Sequence, residues 1–287
     1  MEKKVILITG ANSGIGYETT RAIAGQGALI IMACRNLQKA VPICQGIRQE
    51  KGNPDIEVMR LDLASFHSLR EFAAGFSAKY GQINVLINNG GTFCLKRELT
   101  EDGFEKTIGT NYLGPYLLTR LLLPLLLQTP ASRIVNVGSA AHFSGQLDLN
   151  NLNKNRGFFG FPAYASSKLA LVFFTQELAA RLHGKNVTAN SIHPGHVTTN
   201  IWNLWPDQKW FQHMVSRILK PVMTSVLEAS RAVVHLATSD AVEGVSGCYF
   251  DGMKPVNPSR KCRDLQVQKA LWELSEQITG LNDQPVV

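Results

Sequence analysis

Short apolar runs alternate with longer mixed segments along this chain. Val5–Thr9 is short, β-branched and followed by Gly10, which predicts a buried strand. Ile15–Gln26 predicts the helix after it. The pattern then repeats. Strand candidates are Ala28–Ala33, Val58–Leu61, Val85–Asn88, Arg133–Val137, Val187–Ile192 and Gly247–Phe250. Helical segments lie between them, around Leu37–Lys51, Ser65–Tyr80, Gly103–Leu127, Ala163–His183 and Ser225–Ser239. Such alternation predicts an α/β fold, a doubly wound Rossmann-type domain built on a parallel sheet. No linker, repeat or low-complexity tract interrupts it, so residues 1–287 are expected to form a single domain. The strand ends at Gly10, Arg35, Asp62, Asn88 and Ser139 should then meet along one edge, where such sheets bind ligands.

Three stretches depart from the pattern. Phe143–Pro162 reads as an inserted loop marked by Asn150, Asn151, Asn153 and Asn155. Thr198–Thr224 holds Trp202, Trp205 and Trp210, with Phe211, Met214, Ile218 and Leu219 continuing the apolar character. A long apolar insertion beside a ligand edge predicts a substrate lid over residues 198–224, against the alternatives of a core-packed helix or a membrane-surface contact. Tyr112–Leu127 is the longest apolar stretch, but Pro115, Arg120 and Pro124 and its length make it a buried or intersubunit helix rather than a membrane span.

Composition narrows the function classes. The 287 residues are 45% hydrophobic and 18% charged, enough for a full core. The net charge of +7 is spread without a Lys/Arg block, so nucleic acid is not an expected partner. The cysteines, Cys34, Cys44, Cys94, Cys248 and Cys262, are odd in number and form no CxxC pair. That predicts reduced thiols, a cytoplasmic setting with peripheral membrane association as the alternative, and no metal site. Glu2-Lys3-Lys4 leads straight into the first strand, so no signal peptide is expected. His193 is expected to be structural, and His142 either structural or lining the site.

The candidate chemistry falls in one order. A strand, Gly-rich turn and helix presents backbone N–H groups to an anion at a helix N-terminus. Gly10 suits the tight turn, Gly14 leaves room for a pyrophosphate, and Gly16 lets the helix lie close on the strand. Asn12 and Ser13 can add side-chain bonds to phosphate. The bland alternative is a plain Gly-rich turn. At the second strand end an acidic residue would bind an adenosine 2′-hydroxyl, whereas an Arg suits a 2′-phosphate. No Asp or Glu lies between Gln26 and Gln49, and Arg35 stands at the expected place, which points to NADP(H). Asp62 would either meet the adenine or cap the next helix. Tyr164 and Lys168, four residues apart, share a helix face, and Ser139 ends the strand before them. A Tyr hydroxyl can donate a proton to a carbonyl oxygen, and a nearby cation lowers its pKa toward working pH. These parts describe a carbonyl reductase or alcohol dehydrogenase.

The chain resembles the classical short-chain dehydrogenase/reductase family. The matching pieces are TGANSGIG at Thr9–Gly16, Asp62-Leu63, Asn88-Asn89-Gly90-Gly91, Asn111, Ser139, Tyr164-Ala165-Ser166-Ser167-Lys168 and Pro194-Gly195. It is most similar to the retinol dehydrogenase branch, through ACRN at Ala33–Asn36, NYLGPYLLT at Asn111–Thr119, RIVNVGSAAH at Arg133–His142 and LWELSEQITGL at Leu271–Leu281. The resemblance implies strand order 3-2-1-4-5-6-7 and a catalytic set of Asn111, Ser139, Tyr164 and Lys168. In that set Lys168 also holds the nicotinamide ribose, Ser139 orients the substrate oxygen, and Asn111 holds a water that links Lys168 to a proton relay. Ile15, Leu63, Asn89, Gly90, Pro194, Gly195, Val197 and Thr199 join the cofactor site by the same resemblance. Gly90 replaces the family's usual Ala and is expected to loosen the loop. The implied substrate is an apolar carbonyl or alcohol, with retinal/retinol leading and steroids, fatty aldehydes, xenobiotic ketones or protochlorophyllide as alternatives. A cofactor-sensing or scaffold protein without turnover is the rival class. A homodimer or homotetramer through Tyr112–Leu127 and the Tyr164-bearing helix is implied, without the N-terminal membrane anchor many retinol dehydrogenases carry.

Overall fold

Strand β1 (Val5–Thr9) is buried along its whole length, because both faces of its sheet are covered. Val5 and Leu7 pack into one core layer, Ile6 and Ile8 into the other. This is why the strands read as unbroken apolar runs rather than alternating ones. The computed structural model describes residues 3–195 and 224–282. Its further strands are β2 (Leu29–Cys34), β3 (Ile56–Arg60), β4 (Val85–Asn88), β5 (Ser132–Val137), β6 (Val187–His193), β7 (Tyr249–Asp251) and β8 (Lys254–Val256). The sheet order is β3-β2-β1-β4-β5-β6-β7-β8, parallel except for the last pair. The predicted order therefore holds through β7. Strand β8, not among the sequence-predicted strands, returns as a hairpin through Gly252-Met253, with Gly252 at φ 58°.

Helices α1 (Gly14–Ala24), α2 (Leu37–Lys51) and α6 (Val226–Thr238) cover one face. Helices α3 (Phe66–Lys79), α4 (Gly114–Gln128), α5 (Gly160–Arg181) and α7 (Leu265–Thr279) cover the other. Their ends follow local chemistry. Asn36 accepts from the Lys39 amide at 3.0 Å to start α2, Ser65 from the Ser68 amide at 3.1 Å to start α3, and Ser225 forms a reciprocal capping box with Glu228 for α6. A helical turn, Lys106–Ile108, and a π-helical turn, Gly109–Leu113, lead into α4. A buried polar ladder ties the sheet to α4 and α5. Asn88 donates to Thr119 and Asn136 at 3.0 and 2.8 Å, and Asn136 donates to Thr175 at 2.9 Å. Among the described helices, none is long and apolar enough to cross a membrane.

Helix α7 has no counterpart in the strand–helix alternation and was not predicted. Asp264 accepts from the Gln266 and Val267 amides, both at 3.1 Å, and Gly280 ends the helix at φ 65°. It lies on the face of Tyr112–Leu127, the stretch assigned to a buried or intersubunit helix. Trp272 is 1% exposed, stacked near Phe174 and edge-on to Tyr116 at 5.3 Å. The guanidinium groups of Arg120 and Arg181 lie 4.9 and 4.4 Å from its ring centroid. Arg120 also pairs with Glu276 at 2.7 Å. The Ser275 hydroxyl donates its proton to the Leu271 carbonyl, so the Tyr112 hydroxyl donates to Ser275 across 2.6 Å.

Trp272→Ala should lower unfolding free energy by about 3–5 kcal/mol, the usual range for a buried aromatic removed to Ala. Urea unfolding followed by circular dichroism measures it; a change under about 1 kcal/mol would mean that α7 is not part of the cooperative core.

Candidate active site

The carboxyl ends of β1, β2, β4 and β5 bring the candidate residues to one edge. Gly10 follows β1 at φ 64°, its amide bonded to the Ala33 carbonyl at 2.9 Å, and Gly14 opens α1 at φ 53°. A Cβ on Gly16 would sit 2.3 Å from the Gly10 carbonyl oxygen and 2.5 Å from Asn89 Nδ2, so only glycine lets α1 start against the strand end. Ser13 is exposed and its hydroxyl makes no capping bond; Asn12 and Ile15 are half-buried beside it. The first turn of α1 carries no acidic side chain. Its amides and positive dipole end are therefore not neutralised by the helix's own residues. A pyrophosphate fits this turn on both geometry and charge.

One supporting residue escaped the sequence reading. The buried Cys34 thiol, at the end of β2, lies beneath the turn, where the Ala11 and Asn12 amides favour its thiolate while burial, the larger effect, pushes its pKa up to about 11. Nothing in the sequence marks it except its place beside Arg35. Arg35 itself is exposed at the end of β2, where a 2′-phosphate would lie. Asp62 Oδ1 accepts from the Ala64 amide at 3.0 Å, turning the chain, while Ser65 is the cap of α3. Asp62 is half-exposed, so it can also face an adenine.

The loop after β4 is not loosened by Gly90. The Thr9 hydroxyl accepts from the Asn89 and Gly90 amides at 3.0 and 2.9 Å. Asn89 Nδ2 donates to the Thr9 carbonyl at 2.9 Å, so this side chain shapes the turn. The buried Leu63 fills the space an Ala methyl would take, since a Cβ on Gly90 would lie 2.7 Å from its Cδ1. Gly91 also matters: a Cβ there would meet Asn111 Oδ1 at 3.2 Å and Lys168 Nζ at 3.7 Å. In the sequence nothing marks Gly91 beyond its place in the Asn88-Asn89-Gly90-Gly91 motif.

The structure brings Ser139, Tyr164, Lys168 and Asn111 together. The Ser139 hydroxyl neighbours the Tyr164 phenol and favours its ionised form. Phe93 packs its ring 5.5 Å from that of Tyr164. Lys168 Nζ lies 5.7 Å from the Tyr164 ring centroid and donates to the Val137 carbonyl at 2.9 Å. Asn111 stands in the π-helical turn, a departure from α-helix that often accompanies functional sites. Its amide donates to the Thr92 carbonyl and Ser167 hydroxyl at 2.9 and 3.0 Å, and its oxygen accepts from the Thr92 amide at 2.7 Å. Ser167 in turn donates to the Tyr164 carbonyl at 2.7 Å. Two hydroxyls thus stand ready for one substrate oxygen, with a cation behind them.

The electrostatics differ from the expectation that Lys168 pulls the phenol down. Burial raises the Tyr164 pKa, opposed by the Ser139 hydroxyl. Burial also lowers Lys168, to about 8. Both groups lose hydration, which favours the uncharged form of each. At β6's end, Pro194 is buried and Gly195 adopts φ 107°, with room for no Cβ because Thr224 Oγ1 would be 2.3 Å away. Val197, Thr199 and residues 198–223 of the stretch expected to form a lid lie outside the described residues.

A profile of the family described as short chain dehydrogenase matches residues 4–210. Retinol dehydrogenase 13 of Mus musculus is 38% identical over 281 residues, covering 97% of this chain and 84% of its own length. Retinol dehydrogenase 11 of Homo sapiens is 38% identical over 278 residues, covering 97% and 86%. Among solved structures, a Mycobacterium paratuberculosis protein superposes with a TM-score of 0.78 at 34% identity, over 96% of this chain and 93% of its own. A Pseudomonas aeruginosa protein in an NADP active-site complex shares the fold at a TM-score of 0.70 and 22% identity, over 86% and 94%.

The Lys168 shift gives a signed pH dependence. Below about 8 its ammonium is charged and supports proton release by Tyr164; above, that support is lost. The kcat for carbonyl reduction should therefore fall as pH rises through about 8, and alcohol oxidation, which needs the phenolate that the ammonium stabilises, should lose the same support. Lys168→Arg keeps its charge and should move the reductive limb upward. Profiles of kcat against pH in both directions test this; a flat reductive profile from pH 7 to about 9.5 contradicts it.

Proposed function

The chain belongs to the short-chain dehydrogenase family and is an oxidoreductase, and from that premise we propose that it uses NADP(H) to interconvert an apolar carbonyl and its alcohol, with retinal and retinol as the leading pair. The observation that carries this reading is the gathering of Ser139, Tyr164 and Lys168 at the sheet edge that also holds the glycine turn. The retinoid choice draws on the retinol dehydrogenases at 38% identity. An apolar rim supports it. Phe161 lies one helical turn before Tyr164, and Gly160 packs against Cys94, Leu95 and Phe93. Phe159, Phe161 and Leu95 remain 70%, 49% and 42% exposed, suited to a ligand with little polar surface.

The nicotinamide, when bound, supplies or accepts the hydride. Ser139 and Tyr164 donate to the carbonyl oxygen and hold its carbon at a fixed angle. As negative charge develops on that oxygen, Tyr164 passes its phenolic proton to it, while the Ser139 hydroxyl stays hydrogen-bonded. The Lys168 ammonium stabilises the phenolate left behind. Asn111 holds the Thr92 backbone and, through Ser167, the Tyr164 carbonyl, so the phenol keeps its place. In oxidation the same groups run in reverse. Arg35 is the residue for the 2′-phosphate, and the lack of acid from Gln26 to Gln49 leaves nothing to repel it.

NADPH oxidation by the purified protein against a panel of carbonyls tests the reading. Retinal and other bulky apolar aldehydes should outperform short polar ones in kcat/KM; no turnover of any carbonyl with bound NADPH would favour a cofactor-sensing role. Tyr164→Phe should remove nearly all turnover while NADPH binding persists, measured by nicotinamide fluorescence. Arg35→Ala should lose about tenfold to a hundredfold in preference for NADPH over NADH, from a charge-assisted bond of about 1.5–3 kcal/mol. Titration of both proteins with both cofactors measures it, and NADH binding to wild type as tightly as NADPH would contradict the assignment.

A further inference from the structure

We infer that His142 is a positioning residue for Ser139, locking its backbone so that the hydroxyl faces Tyr164. The inference rests on the proposed role of Ser139. His142 is completely buried, three residues after Ser139 in a single 3-10 turn, Ala140–Phe143. The Ser139 carbonyl accepts twice from this one residue: from its backbone amide at 3.1 Å and from ring Nδ1 at 2.9 Å.

The partners fix the tautomer. A carbonyl oxygen can only accept, so Nδ1 carries the proton. The Ser259 amide can only donate, and it lies 3.1 Å from Nε2, so Nε2 is bare. His142 is therefore a neutral bridge with one donor and one acceptor, both in use. Burial agrees, lowering its pKa against the pull of the Ser139 carbonyl. The ring is packed against the tilted rings of Phe143 and Tyr249, whose centroids lie 4.1 and 4.5 Å away.

The bridge has a fixed far end. Lys261 Nζ donates to the Gly145 carbonyl at 2.6 Å, and the Ser166 hydroxyl donates to the Gln146 carbonyl at 2.6 Å. A Cβ on Gly145 would lie 2.4 Å from the Ala165 carbonyl oxygen, so the loop lies directly on α5 beside Tyr164. Residues 139–146 are thus fastened to the helix that carries Tyr164 and Lys168 and to the segment before α7. The Ser139 hydroxyl accepts from the Ala141 amide at 3.2 Å inside this frame, which sets its direction. Loss of the Nδ1 bond would free the Ser139 peptide to rotate, and small misplacements of a group that orients substrate are costly in rate.

The test compares two amides at position 142, because each reproduces one nitrogen. His142→Asn places an amide near Nδ1 and can still donate to the Ser139 carbonyl. His142→Gln reaches the Nε2 position and keeps only the acceptor for Ser259. With the substrate found in the carbonyl panel, His142→Gln should lower kcat about tenfold to a hundredfold, leaving the NADPH Kd within about twofold. His142→Asn should recover most of that loss. Residual turnover at high enzyme concentration then closes a cycle: in a Ser139→Ala background, His142→Gln should lower kcat no further. Ser259→Pro removes the donor from the far side at a φ of −47° that suits proline, and should lower kcat in the same direction without touching position 142. An equal loss in Asn and Gln, an additive cycle, or wild-type kcat in both His142→Gln and Ser259→Pro overturns the inference while the reading of Ser139 stands. Wild-type kcat in Ser139→Ala instead overturns that reading, and the inference with it.

Discussion

Where β1 meets β4 there is no room for a side chain. Gly10, Gly16 and Gly90 bring three backbones together, and a methyl at any of them would collide within 2.8 Å. The site depends on this close approach. It permits Asn89 to reach the Thr9 carbonyl and lets the Thr9 hydroxyl collect two amides of the next loop. That loop then delivers Gly91 beside Asn111 and Lys168. The glycine turn and the candidate proton-handling group are therefore set by one piece of backbone packing, with the Cys34 thiol beneath the turn.

A second principle is the joint desolvation of opposite tendencies. Burial makes the Tyr164 phenol harder to ionise and the Lys168 ammonium easier to neutralise. Both shifts favour uncharged forms, which suits a pocket for apolar molecules and keeps a proton on the phenol. The working state then depends on charges introduced beside these groups, not on their pairing alone. The polar ladder from Asn88 through Asn136 to Thr175 has the complementary task of fixing α4 and α5 without any net charge.

The sequence made most of this legible because its signals are local. A glycine followed by helix periodicity, a Tyr and Lys one turn apart, and an Arg at a strand end each report their structural place directly. Features set by distant partners stayed hidden. The role of Cys34 needs amides more than twenty residues away, and the bridge at His142 needs Ser259. Helix α7 was missed although Asp264 and Gly280 frame it, because no strand follows to complete the alternating pattern. Strand β8 was missed for lack of length, with only the Asp251-Gly252 pair to mark its hairpin. The expected direction of the Tyr164 shift failed for a physical reason: spacing shows that two groups are near, not how dry they are.

The fastening of the Ser139 loop by Ser259 and Lys261 gives the order of synthesis a meaning. A chain leaving the ribosome can form β1 to β6, with the glycine turn and all four candidate catalytic side chains, before residue 259 exists. The loop carrying Ser139 would at that stage have half of its supports. Helix α7, translated later still, then seals Tyr116 and Phe174. The nascent protein should thus acquire its nucleotide-shaped half before its chemically aligned half, and the closing segment separates a folded sheet from a finished site.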